Sequence, residues 1–200
     1  MKLARILLLG LLLAGCATRP VLDTVTSIDS LPHAADLPRN WQLSGRISLT
    51  QGETGWHAGV DWIEQAENFR LRVSGPLGQG GFMLSGSPDG VLLQDSAQQV
   101  FTAPDTDSLL AEVTGWRLPV AGMRYWVRGV PDPGTAFDAS IDDTGRLARL
   151  LQDGWTIDYT RYHPVADGRW PARLGLVRDD VTVRMVIDQW QFGAPSTASP

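Results

Sequence analysis

Phe69-Arg70-Leu71-Arg72-Val73-Ser74, residues 69–74, alternates apolar and polar side chains without a break. That is the period of a strand with one dry face and one wet face. The same period runs outward in both directions. Trp41, Leu43, Ile47 and Leu49 share a face, and so do Trp56, Ala58, Val60 and Trp62. It returns in Trp155, Ile157 and Tyr159 and again in Val181, Val183, Met185 and Ile187. Turn signals such as Gln51-Gly52, Glu67-Asn68, Pro88-Asp89-Gly90 and Asp143-Thr144-Gly145 separate these runs at hairpin spacing. The expectation is a mainly β domain, an antiparallel meander that curls into an unclosed half-barrel.

Two segments break the period and read as short helices. Asp105 or Asp107 can cap one through Leu109, Leu110 and Val113, with Gly115 closing it in the left-handed conformation. A second is expected near Ala121 to Arg128, ending at Gly129. Neither is long enough to be stable alone. Both must pack on the sheet, with Leu109, Leu110 and Val113 and then Met123, Trp126 and Val127 covering its open end as a lid over an apolar cavity.

The chain begins with Lys2 and Arg5, an apolar run from Ile6 to Leu13, and then Leu13-Ala14-Gly15-Cys16. This is the pattern of a lipoprotein signal peptide over residues 1–15, and the run is far too short to span a bilayer. Cys16 is the sole cysteine, so cleavage before it leaves its thiol to carry a covalent acyl lipid and leaves none for a disulfide. Residues 16–39, with Pro20, Pro32 and Pro38, read as a lipidated N-terminus and flexible tether. Such a tether spans roughly 25 to 30 Å. The folded unit is expected over residues 40–192, and residues 193–200 read as a disordered tail. One domain of this size can bury its own core.

With Lys2 and Arg5 removed, 22 acidic residues face 15 basic ones, a net charge of -7. No basic run remains to hold nucleic acid. His33, His57 and His163 read as surface residues, no pair has metal-ligand spacing, and the Asp and Glu residues fall mostly on turns and wet faces. No serine sits in a nucleophile elbow. Gly75, Gly78, Gly80 and Gly81 lack the Gly-Lys-Ser/Thr ending of a phosphate loop. An enzyme is not expected, and neither is a cofactor. Eight tryptophans are many for this length, and some rings can line a cavity. One apolar side chain, Leu77, stands among glycines and Pro76 at a hairpin tip. It either folds back on the core or dips into a bilayer, where burial of one leucine yields about 1.5 to 3 kcal/mol, too little to anchor a protein.

Several segments together resemble the family of the outer-membrane lipoprotein receptor LolB. They are the lipobox Leu13 to Cys16, Trp62 to Phe69 leading into Gly75-Pro76-Leu77-Gly78, and Leu118-Pro119-Val120. Tyr125-Trp126-Val127-Arg128-Gly129-Val130-Pro131, Gln152-Asp153-Gly154-Trp155 with Tyr159, and Ile187-Asp188-Gln189-Trp190 complete the set. They fall in the family's order and cover nearly the whole mature chain. The resemblance implies an outer-membrane, periplasm-facing lipoprotein, expected to be a monomer. It implies that this protein accepts acylated lipoproteins from the soluble carrier LolA and inserts them into the membrane without nucleotide hydrolysis. By position, Trp62, Trp126 and Trp155 match cavity-lining aromatics, and Leu77, with Pro76 and Gly78, matches the membrane-insertion loop. Alternation adds Val60, Leu71, Ile157 and Met185 to the cavity wall. Ala17 is also not the acidic residue that would retain a lipoprotein at the inner membrane in enteric-type sorting.

A long acyl chain is worth on the order of 10 kcal/mol out of water, so each holder must bury it and transfer must run downhill in affinity. The competing expectation is a structural or assembly lipoprotein whose β-domain meets a protein partner and whose interior is only a core. A lipid hydrolase would need a nucleophile and base that the chain does not offer.

Overall fold

The computed structural model describes residues 31–76, 80–164 and 169–193. Six strands come first: β1 (Asn40–Gln51), β2 (Thr54–Gln65), β3 (Asn68–Ser74), β4 (Phe82–Ser87), β5 (Gly90–Asp95) and β6 (Val100–Ala103). Helices α1 (Thr106–Thr114) and α2 (Val120–Trp126) follow. Five more strands close the chain: β7 (Phe137–Ile141), β8 (Leu147–Gln152), β9 (Trp155–Tyr162), β10 (Pro171–Arg178) and β11 (Val181–Phe192).

All eleven strands form one antiparallel sheet in the order β6-β5-β4-β3-β2-β1-β11-β10-β9-β8-β7. The first and last strands pair at its centre, and two meanders run outward from them to the unpaired edges β6 and β7. The sheet is therefore unclosed, as the period-two pattern predicts. The segment carrying both helices connects one edge to the other. Helix α1 packs on β5, β6 and α2, and the lid's Leu110 and Met123 meet the inward residues of the sheet in one core.

Period two decides which side chains enter that core. On β2, Ala58, Val60 and Trp62 are buried while His57 and Asp61 face water. On β11 the inward set Val181, Val183, Met185 and Ile187 is interrupted by a bulge, since Ser44 pairs with Gln189 but Gly45 pairs with Ile187. The extra residue, Asp188, moves the inward side from odd to even positions. Trp190 is thereby brought against Trp41, with ring centroids 5.6 Å apart. Between β8 and β9, Asp153 and Gly154 both have positive φ, 52° and 77°. This two-residue turn sets Gln152 opposite Trp155.

Helix α1 is capped as expected. The Asp105 carboxylate accepts a hydrogen bond from Ser108 N–H at 2.9 Å, and Gly115 ends the helix at φ 77°. Helix α2 ends at Trp126, earlier than the expected Arg128, and Gly129 at φ 76° turns the chain away. The fold also begins before residue 40. Within the stretch read as a tether, Leu31 and Leu37 are buried in the core clusters, flanking a short 3-10 turn at Ala34–Asp36.

Candidate functional site

Between sheet and lid lies a dry pocket of only about 20 Å³, walled by Val60, Trp62, Leu71 and Met185 from the strands and by Leu110 and Met123 from the helices. That is room for about one water, whereas ligand pockets run from about 300 to 1,000 Å³. The lid is down. Of the seven residues expected on the wall, Val60, Trp62, Leu71 and Met185 are brought together there. Trp126, Trp155 and Ile157 are buried in the same core, at 0%, 2% and 0% exposure, but do not line this pocket. Cys16, Leu77 and Gly78 lie outside the described residues; Pro76 is exposed just after β3.

Trp126 is held from two sides. Its indole N–H donates to Gln152 Oε1 at 2.7 Å, and its carbonyl accepts from the Tyr159 hydroxyl at 2.9 Å. Gln152 is 3% exposed and is itself satisfied. Its Oε1 also accepts from Asp132 N–H, and its Nε2 donates to the carbonyls of Asp132 and Thr135. A buried indole needs such a partner. Burial pushes the Tyr159 hydroxyl well above its ordinary range, so it stays a donor at all physiological pH. Trp155 differs: its buried indole N–H has no hydrogen-bond partner, while the Arg178 guanidinium lies 5.4 Å from its ring centroid.

The polar residue that sequence reasoning missed is Glu64. The sequence places acidic residues mostly on turns and wet faces, yet Glu64 continues the inward set Ala58, Val60, Trp62 and is 3% exposed. It accepts from Trp62 Nε1 at 3.0 Å, from Arg124 Nε at 2.9 Å and from Arg124 Nη2 at 2.6 Å. The guanidinium of Arg124 also sits 5.4 Å from the Phe69 ring centroid, and Arg128 Nε donates to the Arg124 carbonyl at 2.9 Å. Burial pushes the Glu64 carboxyl above its ordinary 4.5, against the opposing pull of Arg124 and Trp62. Parity alone would have placed Glu64 inside. Its partner, 60 residues away, has no local signal.

Among the histidines, His57 is on the wet face and His163 Nε2 lies 2.9 Å from the Ile187 carbonyl. Among the described residues no group of three or more His, Cys, Asp or Glu could hold a metal ion. No described helix is long and apolar enough to cross a membrane.

An open antiparallel sheet rolled about a two-helix lid, with a dry interior beneath it, defines a lidded half-barrel. A solved structure of a DUF1329 family protein from Desulfovibrio piger shares this fold, with a TM-score of 0.56 at 6% identity over 81% of this chain and 89% of that one. The family model described as outer membrane lipoprotein LolB matches residues 39–190. The outer-membrane lipoprotein LolB of Stutzerimonas stutzeri is 36% identical over 190 residues, 92% of each chain. That of Pseudomonas aeruginosa PAO1 is 39% identical over 152 residues, 76% of this chain and 74% of its own. The chain belongs to the LolB family of outer-membrane lipoproteins.

Proposed function

We propose that this chain is a lipoprotein receptor of the outer membrane. It takes acylated lipoproteins from the periplasmic carrier LolA by binding their acyl chains between sheet and lid, and inserts them into the membrane without hydrolysing a nucleotide. It performs no chemistry on its cargo, needs no cofactor, and works as a monomer anchored by the acyl lipid on Cys16. The observation that carries this reading is the dry interface of Val60, Trp62, Leu71 and Met185 with Leu110 and Met123. Helices of nine and seven residues cover it, too short to hold their own shape. Opening them costs contacts that an entering acyl chain replaces, at about 0.8 kcal/mol per buried methylene. Leu77, flanked by Pro76 and Gly78, contacts the bilayer during insertion.

The closed interior also suits a second reading, a structural lipoprotein whose pocket is only core. A photoreactive side chain at Met123 separates them. Cross-linking to the acyl part of a cargo delivered by LolA is expected; cross-links only within the chain itself would favour the structural reading.

A further inference from the structure

The wet face of the sheet carries the larger concavity, an open trough of about 890 Å³. Three arginines border it from three adjacent strands, Arg46 on β1, Arg184 on β11 and Arg173 on β10. The registers place them together: Arg46 and Arg173 both pair with Val186, and Arg184 pairs with Ser48 and Gly175 one step along. Like charges on neighbouring strands repel, yet their compensation is thin. Asp188 meets Arg46 at 3.0 Å with both side chains well exposed, and Asp158, also in the trough, is engaged by Arg149 at 2.6 Å. Among the described residues no ion pair or hydrogen bond engages the guanidinium of Arg173 or Arg184; Arg173 is touched only at its carbonyl, which accepts from the Thr160 hydroxyl at 3.5 Å.

The concentration of positive charge runs against the whole chain, whose net charge is -5 before maturation. Gly59 and Gly175 in the lining add no side chain to the trough beside these guanidinium groups. The lining also includes Ser74, Gly75 and Pro76 at the end of β3. In a lipoprotein of the outer membrane the anions within reach include lipid phosphates, the charge complement of this trough.

We propose that the trough of Arg46, Arg173 and Arg184 binds the phosphate headgroups of anionic phospholipid and seats the outer face of the half-barrel on the membrane surface. Arginine suits the task because its fork of donors grips phosphate oxygens in pairs. Each arginine near an anionic surface adds a modest attraction that salt screens. The site rests on the outer-membrane location of the family and not on acyl-chain binding, so its test uses no cargo.

The test is arginine modification by phenylglyoxal, read by mass spectrometry, on the mature lipidated chain in nanodiscs. Discs of phosphatidylcholine alone are compared with discs containing phosphatidylglycerol. In the anionic discs Arg173 and Arg184 should react about fivefold more slowly, while Arg117, exposed after the lid helix, should not change. About 0.5 M salt, where the Debye length falls to about 4 Å, should restore the rate. Equal rates in both discs would overturn the proposal. So would equal protection by inorganic phosphate in phosphatidylcholine discs, which would make the site one for free anions, or protection that appears only when the carrier is added.

Discussion

Glu64 on β2 and Arg124 on α2 are joined by two hydrogen bonds, of 2.9 and 2.6 Å, and form the one ion pair among the described residues that ties the lid to the sheet. The carboxylate is 4% exposed and the guanidinium 33%. Breaking a buried pair from the acidic side strands its donors, Trp62 N–H and the arginine. Glu64→Ala should therefore cost about 2 kcal/mol and speed amide exchange over residues 120–126 more than over β11. Exchange rising equally in both would mean the pair supports the whole fold and not the lid.

The same carboxyl has a pH signature. Burial raises it above 4.5 in the folded chain, so between 4.5 and the folded value the native state holds a proton that the unfolded chain has lost. Stability falls as pH rises through that window and is level beyond it. Thermal unfolding of the native chain and of Glu64→Gln across this range should show the fall in the first and not the second.

Asp142 carries the opposite sign at the β7–β8 hairpin. Burial alone would raise it, but hydrogen bonds from Thr144 and Arg146 bring it from 3.8 down to about 2. Its contribution is complete above 3.8 and is lost as pH falls toward 2. Asp142→Asn should flatten the acid limb of the stability curve in that interval. An unchanged limb would show that other carboxylates set it.

Gln152 serves Trp126 and the Asp132–Thr135 turn at once. Gln152→Leu would bury the indole N–H and the Asp132 N–H without partners, at about 1 to 3 kcal/mol each. The midpoint of chemical denaturation should fall accordingly. A loss under about 1 kcal/mol would mean water reaches these groups.

Gly122 inverts a familiar rule. Alanine in a helix is ordinarily better than glycine by about 1 kcal/mol, but here a Cβ would lie 2.7 Å from the Trp126 ring. Gly122→Ala should destabilise, by about 1 to 3 kcal/mol, because the indole cannot move without leaving Gln152. A stabilised variant would show that the ring has freedom to shift.

Much of this was legible in the chain. Five strands stand out because one face is dry and the other wet, and Asp105 and Gly115 mark helix α1. The edge strand β7 does not alternate clearly, since only Ala139 in it is buried. Trp190 could not be placed by parity, because the bulge at Asp188 changes the side it faces. Wall and core could not be separated: Trp62 and Trp155 follow the same alternation, and only the position of Leu110 and Met123 decides which ring meets the pocket. Leu71 and Met185 line that pocket, and Trp126 and Ile157 do not. The Glu64–Arg124 pair spans two elements whose contact no local pattern announces.

Entry of acyl chains between sheet and lid is open to direct observation. The direct measurement loads LolA with a lipoprotein bearing brominated acyl chains, mixes it with the mature protein, and follows both cargo transfer and tryptophan fluorescence. Cargo should move and fluorescence should be quenched, with much of the quenching absent in Trp62→Phe. Transfer without quenching would place the chains elsewhere on the molecule and not between sheet and lid, and a folded protein that takes no cargo from competent LolA would rule out the receptor function itself.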